Sequence, residues 1–165
     1  MINAARDLAE SDGWPAVTMR RLAGELGVTQ PVLYSAFASR QALVDAVALN
    51  GFDDVAAALE AVDASPMARM RAYLDFAAAY PRVYEAMFSL PSGLAFAADD
   101  TPEPLRHAFS RIRDAFPDAD GTWAEVAWSA LHGLATLQAS GRLRASQAQA
   151  RLDLAHRMLT RQEAH

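Results

Sequence analysis

The 165-residue sequence contains no cysteine and no lysine. The absence of cysteine excludes disulfide bonds, thiolate zinc sites and a cysteine nucleophile. The absence of lysine excludes a P-loop lysine, Schiff-base chemistry and a serine–lysine dyad. The 15 basic residues are therefore all arginine, and 20 acidic residues bring the net charge to −5.

Histidine is scarce as well, and its spacing does not suit a metal ion. The four histidines are His107, His132, His156 and His165. They form no His-Glu-x-x-His pair or other metal-binding pattern. The Asp99-Asp100 pair precedes Pro102 in a predicted loop, where a solvated lead-in to a helix is the simpler interpretation. We therefore expect no metal site, no cofactor and no enzymatic activity.

Signals for export or membrane insertion are missing too. Charged residues occur by the sixth position, which is unlike a secretory signal. The longest stretch without Asp, Glu or Arg is 126–141, too short for the roughly 20 apolar residues that span a bilayer. We expect a cytoplasmic protein without a membrane partner.

Alanine, the best helix former, is the commonest residue, at 37 of 165. No run alternates with period two over the length of a strand, so we expect an all-α fold. Proline, glycine and capping residues divide the chain into about nine helices, predicted over 2–11, 19–26, 30–37, 40–62, 66–79, 81–90, 103–116, 122–140 and 146–162. Segment 91–104, which includes the apolar run 94–98, is predicted to be a loop that folds back onto the body.

Residues 18–49 have the spacing of a helix-turn-helix. Thr18 and Thr29 are candidate N-caps, Gly27 can adopt the positive φ of a sharp turn, and Pro31 suits a first helical turn. A small core between the crossing helices is expected from Leu22, Ala23, Leu26, Val28, Leu33 and Phe37. This core leaves five residues pointing outward, with side chains suited to base edges, thymine methyls and phosphates: Gln30, Pro31, Val32, Tyr34 and Ser35.

The segment 27–43, GVTQPVLYSAFASRQAL, resembles the DNA-binding signature of the tetracycline-repressor-like (TetR) regulators, and 13–23, GWPAVTMRRLA, resembles the approach to it. The resemblance covers about residues 2–50. It implies that Gln30, Pro31 and Tyr34 face bases or the adjacent backbone and that Arg20 reaches bases from the preceding helix. It also implies phosphate contacts at helix starts from Thr18, Thr29, Ser39 and Arg40. For Thr18, Thr29 and Ser39, helix capping is an alternative role that is compatible with phosphate contact, and for Tyr34 the alternative is simple packing.

The charge of residues 1–50 departs from the usual basic footprint of a DNA-binding domain. Four arginines against five acidic residues give a net charge of −1. The family often carries a basic arm before its first helix, and this sequence begins inside what resembles that helix, so either the arm was trimmed or the start lies upstream. We therefore expect modest non-specific affinity and a shallow salt dependence, because each phosphate contact adds only about 0.9 to the slope.

Residues 51–165 are expected to form a ligand-binding and dimerisation domain. The motif Trp128-x-x-x-His132-Gly133 resembles a C-terminal domain named for Trp, His and Gly in one branch of the family. His132 could equally be a packing or interface histidine or a ligand contact. Ordinary core and the wall of a pocket are both open interpretations for the aromatic set Tyr73, Phe76, Tyr80, Tyr84, Met87, Phe88, Phe109 and Trp128.

The last two helices are expected to build a two-fold dimer through a four-helix interface. Their apolar stripes contain Val126, Ala130, Leu134, Leu137, Leu152, Ala155 and Leu159. A dimer would set two recognition helices about one DNA turn, roughly 34 Å, apart and would favour a pseudo-palindromic operator.

The resulting hypothesis is a homodimeric transcriptional regulator, a repressor, with an N-terminal domain at 1–50 and a second domain at 51–165. It would bind a double-stranded operator and be released by a small apolar effector. The alternative is a helical sensor or partner-binding module that has lost sequence-specific DNA binding, which the charge of −1 supports.

Overall fold

The computed structural model describes residues 1–95 and 99–160. Within these residues there are nine α-helices and no strand, which confirms the predicted all-α class. The helices are α1 (Ile2–Asp12), α2 (Met19–Leu26), α3 (Gln30–Ala36), α4 (Arg40–Glu60), α5 (Pro66–Ala79), α6 (Pro81–Phe88), α7 (Glu103–Ala115), α8 (Thr122–Ala139) and α9 (Ala148–Thr160).

The predicted helix ends are wrong by one or two residues at several places. α6 stops at Phe88 rather than at residue 90, because the amides of Ser89 and Leu90 both donate to the Glu85 carbonyl. α9 begins later than predicted, since a 3-10 turn at Ala145–Gln147 precedes it. The predicted end of the last helix at 162 and the central part of the apolar run, 96–98, lie outside the described residues.

The chain forms two compact units that do not follow the predicted domain boundary. The first comprises Met1–Asp53 and Tyr80–Leu105, and the second comprises Asp54–Ala79 and the chain from Arg106 onward. The boundary thus falls within α4, and α6 belongs to the first unit. A functional division near residue 50 stays a prediction.

In the first unit, α6 is fastened to α1 by polar contacts at its N-terminus. The Glu10 carboxylate accepts hydrogen bonds from the Arg82 and Val83 amides, each 3.0 Å from Oε1. Trp14, buried just after α1, donates its indole N–H to the Arg82 carbonyl at 2.7 Å. A helix start has unpaired N–H groups and positive dipole charge, so a carboxylate placed there is stabilising.

The part of α4 that belongs to the first unit packs against α6 at a glycine. A Cβ atom on Gly51 would lie 2.7 Å from Val83 Cγ1 and 2.8 Å from Met87 Sδ. Beside this contact the rings of Phe52 and Phe88 meet edge to face, with centroids 5.3 Å apart. α6 therefore has tight contacts with both α1 and α4 inside the first unit.

In the second unit, α5 packs against α8 and α9. The indole N–H of Trp123 on α8 donates to the Leu159 carbonyl of α9 at 2.9 Å. The start of α8 is capped by Asp118, whose carboxylate accepts from the Gly121 and Trp123 amides. None of the helices in the described residues is long and apolar enough to cross a membrane.

We predict that Gly51→Ala lowers the free energy of unfolding relative to Gly24→Ala by about 1–3 kcal/mol, because the added methyl overpacks the α4–α6 contact. Gly24 is the matched control, since it is also helical and a Cβ there has nothing within 4 Å. The gain in helix propensity is common to both variants. Equal stabilities in urea denaturation would contradict the tight contact.

Candidate DNA-binding face and effector cluster

The helix-turn-helix is closed by capping at both ends of α2. The Thr18 hydroxyl accepts from the Arg21 amide at 3.2 Å, as predicted for an N-cap. Gly27 has φ 65°, the left-handed conformation, and the Val28 amide returns to the Ala23 carbonyl at 3.0 Å. This is the Schellman type of helix end, and it reverses the chain into α3.

α3 is anchored by a single buried residue and exposes the rest of its surface. Leu33 is fully buried, together with Leu22 and Ala23 of the predicted small core. The other three residues of that predicted core are half-buried, namely Leu26, Val28 and Phe37. All five outward residues are exposed, including two large apolar side chains, Val32 at 42% and Tyr34 at 49%. An exposed apolar surface on a short helix is suited to contact with a partner.

Three helix starts carry hydroxyl residues, but their hydroxyls are used differently. The Ser39 Oγ accepts from the Ala42 amide at 3.0 Å and so caps α4, as the Thr18 hydroxyl caps α2. Thr29 occupies the N-cap position of α3, yet its side chain makes no capping bond. All three residues are exposed, so their predicted phosphate contacts stay open to test.

The arginines of residues 1–50 are mostly engaged within the first unit. Arg40 donates to the Trp14 and Val17 carbonyls at 2.7 Å each, so it holds the loop before α2 in addition to its predicted phosphate role. Arg21 pairs with Asp12 and Glu25, and its hydrogen bond to Asp12 raises the pKa of Arg21. Arg6 donates to the Asn50 side chain and lies over the Tyr80 ring.

Arg20 stands apart from these three. It is exposed in the first turn of α2 and has no intramolecular hydrogen bond or ion pair within the described part of the chain. A cation without an internal partner can neutralise a phosphate at little cost. Arg20 is therefore an exposed cation available to a partner, and its predicted contact with DNA stays a prediction.

The predicted aromatic set is divided between the two units. Tyr80, Tyr84, Met87 and Phe88 belong to the first unit, where Tyr84 and Phe88 have ring centroids 4.8 Å apart. Tyr84 and Met87 are buried, whereas Tyr80 is exposed. Tyr84, Met87 and Phe88 thus pack inside the first unit, and a ligand contact of any of the four stays a prediction.

The remaining aromatic residues form a cluster in the second unit. The Trp128 indole N–H donates to the Tyr73 hydroxyl at 3.1 Å, and the Phe109 ring meets Trp128 edge-on with centroids 5.9 Å apart. Tyr73 and Phe76 are buried, while Phe109 and Trp128 are half-buried. We call Tyr73, Phe109 and Trp128 the effector cluster.

His132 lies one turn after Trp128 on α8 and is half-buried. Burial lowers the pKa of His132 below its usual 6.5, which favours the neutral imidazole. A neutral, half-buried imidazole can both donate and accept a hydrogen bond. The packing role and the ligand role of His132 both remain open.

The predicted dimer residues separate into exposed and buried sets. On α8, Val126 and Leu137 are exposed, and Ala130 and Leu134 are half-buried. On α9, Ala155 is half-buried, but Leu152 and Leu159 are buried within the unit, on the helix that packs against α5. The apolar side chains that α9 exposes are instead Leu154 at 50% and Met158 at 66%.

Two family models match the sequence, one in the N-terminal part of the chain and one in the C-terminal part. Residues 1–47 match the bacterial regulatory proteins of the tetR family, and residues 67–162 match the tetracyclin repressor-like C-terminal domain. The second match alone covers more than half of the sequence. The chain belongs to the TetR family. It is a DNA-binding TetR-type transcriptional regulator with a C-terminal ligand-binding domain.

Related proteins agree with membership of the TetR family. An uncharacterized HTH-type transcriptional regulator of Mycobacterium tuberculosis is 29% identical over 156 residues, covering 86% of this chain and 69% of that protein. A protein of unknown function from Rhodococcus sp. RHA1 has a TM-score of 0.74 at 27% identity, covering 96% of this chain and 90% of the other. Resemblance to the Trp-His-Gly branch rests on the motif alone.

A TetR variant from Acinetobacter baumannii AYE, solved in complex with minocycline, has a TM-score of 0.68 at 20% identity. It aligns over 96% of this chain and 90% of its own length. At this identity the likeness shows the shared TetR fold.

Proposed function

We propose that this TetR-family protein is a homodimeric repressor that binds a pseudo-palindromic operator through α3 and is released by a small effector. The observation that carries the DNA contact is the exposed surface of α3, where Gln30, Val32 and Tyr34 point outward while Leu33 anchors the helix. A DNA-binding regulator of this kind acts on the chromosome, so we place it in the cytoplasm.

The proposed effector site is the effector cluster in the second unit. Its members combine apolar faces with hydrogen-bonding tips, the Tyr73 hydroxyl and the Trp128 indole. Such a mixture is typical of small-molecule sites, which are mostly apolar with few directed polar groups. The minocycline complex of the Acinetobacter relative supports a ligand in this fold and leaves its chemistry here open.

The proposed dimer interface is the exposed stripe of α8. Val126, Ala130, Gly133 and Leu137 follow one another at helical spacings of three and four. A glycine inside a helix costs up to about 1 kcal/mol, yet a Cβ on Gly133 would have nothing within 4 Å in this chain. Close approach of the α8 helix of a second copy would explain why a glycine occupies this position.

A second candidate function follows from the engaged arginines. Arg6, Arg21 and Arg40 already have intramolecular partners in the first unit. A helical sensor that binds a protein partner rather than DNA would also fit this charge pattern. Selection of DNA from random sequence separates the two functions, because the sensor yields no selected site.

We predict that such selection returns a pseudo-palindrome with half-sites about one helical turn apart. Gln30→Ala should then cost about 1–3 kcal/mol at one base pair per half-site, because it removes a bidentate contact. The matched control is Gln147→Ala, an exposed glutamine of the second unit. No selective complex at low salt would contradict the repressor proposal, and an unchanged base preference would remove Gln30 from the readout.

We predict that Val126→Glu and Leu137→Glu convert the dimer to a monomer, because each places a charge in the apolar stripe. Val62→Glu is the control, since Val62 is an exposed apolar residue outside α8 and α9. Sedimentation velocity would show the change in mass. A monomeric unsubstituted protein, or variants that stay dimeric, would contradict this interface.

A further inference from the structure

One charged side chain of the second unit is buried. Arg69 on α5 is only 7% exposed, and among the described residues the other buried polar side chain is Thr101. Arginine is seldom buried unless carboxylates and hydrogen bonds compensate its charge. We therefore expect Arg69 to have carboxylates and hydrogen-bond acceptors around its guanidinium.

The compensation of Arg69 within the chain is incomplete. Its Nη1 donates to the Arg111 carbonyl near the end of α7, while its Nε–H is buried without a hydrogen-bond partner. The nearest carboxylate is Asp114, 3.7 Å from Nη1, which is beyond hydrogen-bond distance. Asp114 is half exposed and lies closer to Arg111, at 3.3 Å. A buried N–H donor without a partner is energetically costly. The Nε–H of Arg69 therefore needs an acceptor that the described part of the chain does not supply.

Arg69 lies next to the effector cluster along α5. The buried residues of this helix include Arg69, Tyr73 and Phe76, which follow one another at spacings of four and three and share one face. Tyr73 is one turn beyond Arg69, and its hydroxyl accepts from Trp128. A buried guanidinium thus adjoins an aromatic cluster with polar tips.

We propose that Arg69 is the anchor for a carboxylate of the effector, so the effector is an amphipathic acid rather than a neutral apolar molecule. This inference rests on the proposed effector site and specifies the chemistry of its ligand. The guanidinium presents Nε–H and Nη–H donors as a fork that matches the two oxygens of a carboxylate. The aromatic cluster would then contact the apolar body of the same acid.

A purely structural Arg69 is the competing interpretation. The bond to the Arg111 carbonyl places a cation at the C-terminal turn of α7, where the helix dipole favours positive charge. That role accounts for Nη1 and leaves Nε unexplained. The two roles differ in whether Arg69 changes the preference for an acid over its neutral amide.

The test is calorimetric titration of the full chain, without DNA, with three matched pairs: benzoate and benzamide, naphthoate and naphthamide, decanoate and decanamide. We expect at least one acid to bind about tenfold or more tightly than its amide, as a charged hydrogen-bonded pair requires. Arg69→Met should abolish this preference and leave binding of the amide. Arg71→Met is the matched control on the exposed side of α5 and should keep the preference.

Asp114→Asn provides a second variant that does not depend on the folding of Arg69→Met. Asp114 is half exposed, and its removal takes away the carboxylate nearest to Arg69. We expect the acid to bind a few-fold more tightly and the amide to bind unchanged, because the guanidinium is then less neutralised.

Three results would overturn the anchor: no acid preferred over its amide, a preference that survives Arg69→Met, or no gain for the acid in Asp114→Asn. Equal binding of acid and amide would remove the anchor and leave the effector site in place. Failure to select an operator would remove the repressor proposal and leave this titration unaffected.

Discussion

The contact between the Glu10 carboxylate and the start of α6 is the constraint on which the first unit depends. The Arg82 and Val83 amides donate to the Glu10 carboxylate, and the indole N–H of Trp14 donates to the Arg82 carbonyl. Gly51 then lets α4 close against Val83 and Met87. These contacts make α6 part of the same compact unit as the helix-turn-helix. Only Tyr80 separates α6 from α5 along the chain, yet α6 belongs to the unit that contains the helix-turn-helix.

This arrangement gives the proposed regulation a physical route. Tyr80 is the single residue between α5, which carries Arg69 and Tyr73, and α6. The helix of the proposed effector site and α6 are therefore consecutive in the chain. Allosteric coupling between an effector site and a DNA-binding site is usually about 1–3 kcal/mol. It requires that the binding free energy of the effector differ by that amount between two states of the protein. Within the first unit, α6 packs against α1, and α1 packs against α2.

Local signals in the sequence predicted the helices and the recognition face, because capping, proline and helical periodicity act over a few residues. Thr18, Gly27 and Ser39 behave as those signals require. Contacts made across about 70 residues, such as Glu10 with α6, left no local pattern. No local pattern distinguishes Arg69 from Arg71, whereas the structure buries Arg69 and exposes Arg71. Leu152 and Leu159 are buried within the second unit, which their helical spacing alone did not indicate, and their place in a dimer interface stays a prediction.

Hydrogen exchange with and without the selected operator tests most directly whether α6 belongs to the DNA-binding unit. Ligand binding stabilises the state that binds it, so amides that open only with that unit gain protection together. We expect the Arg82 and Val83 amides to slow by the same factor as core amides of α1 and α2. Glu10→Gln should weaken this gain at α6 first. Protection of α1 and α2 by the operator, with the exchange of α6 unchanged, would show that α6 is not part of the DNA-binding unit.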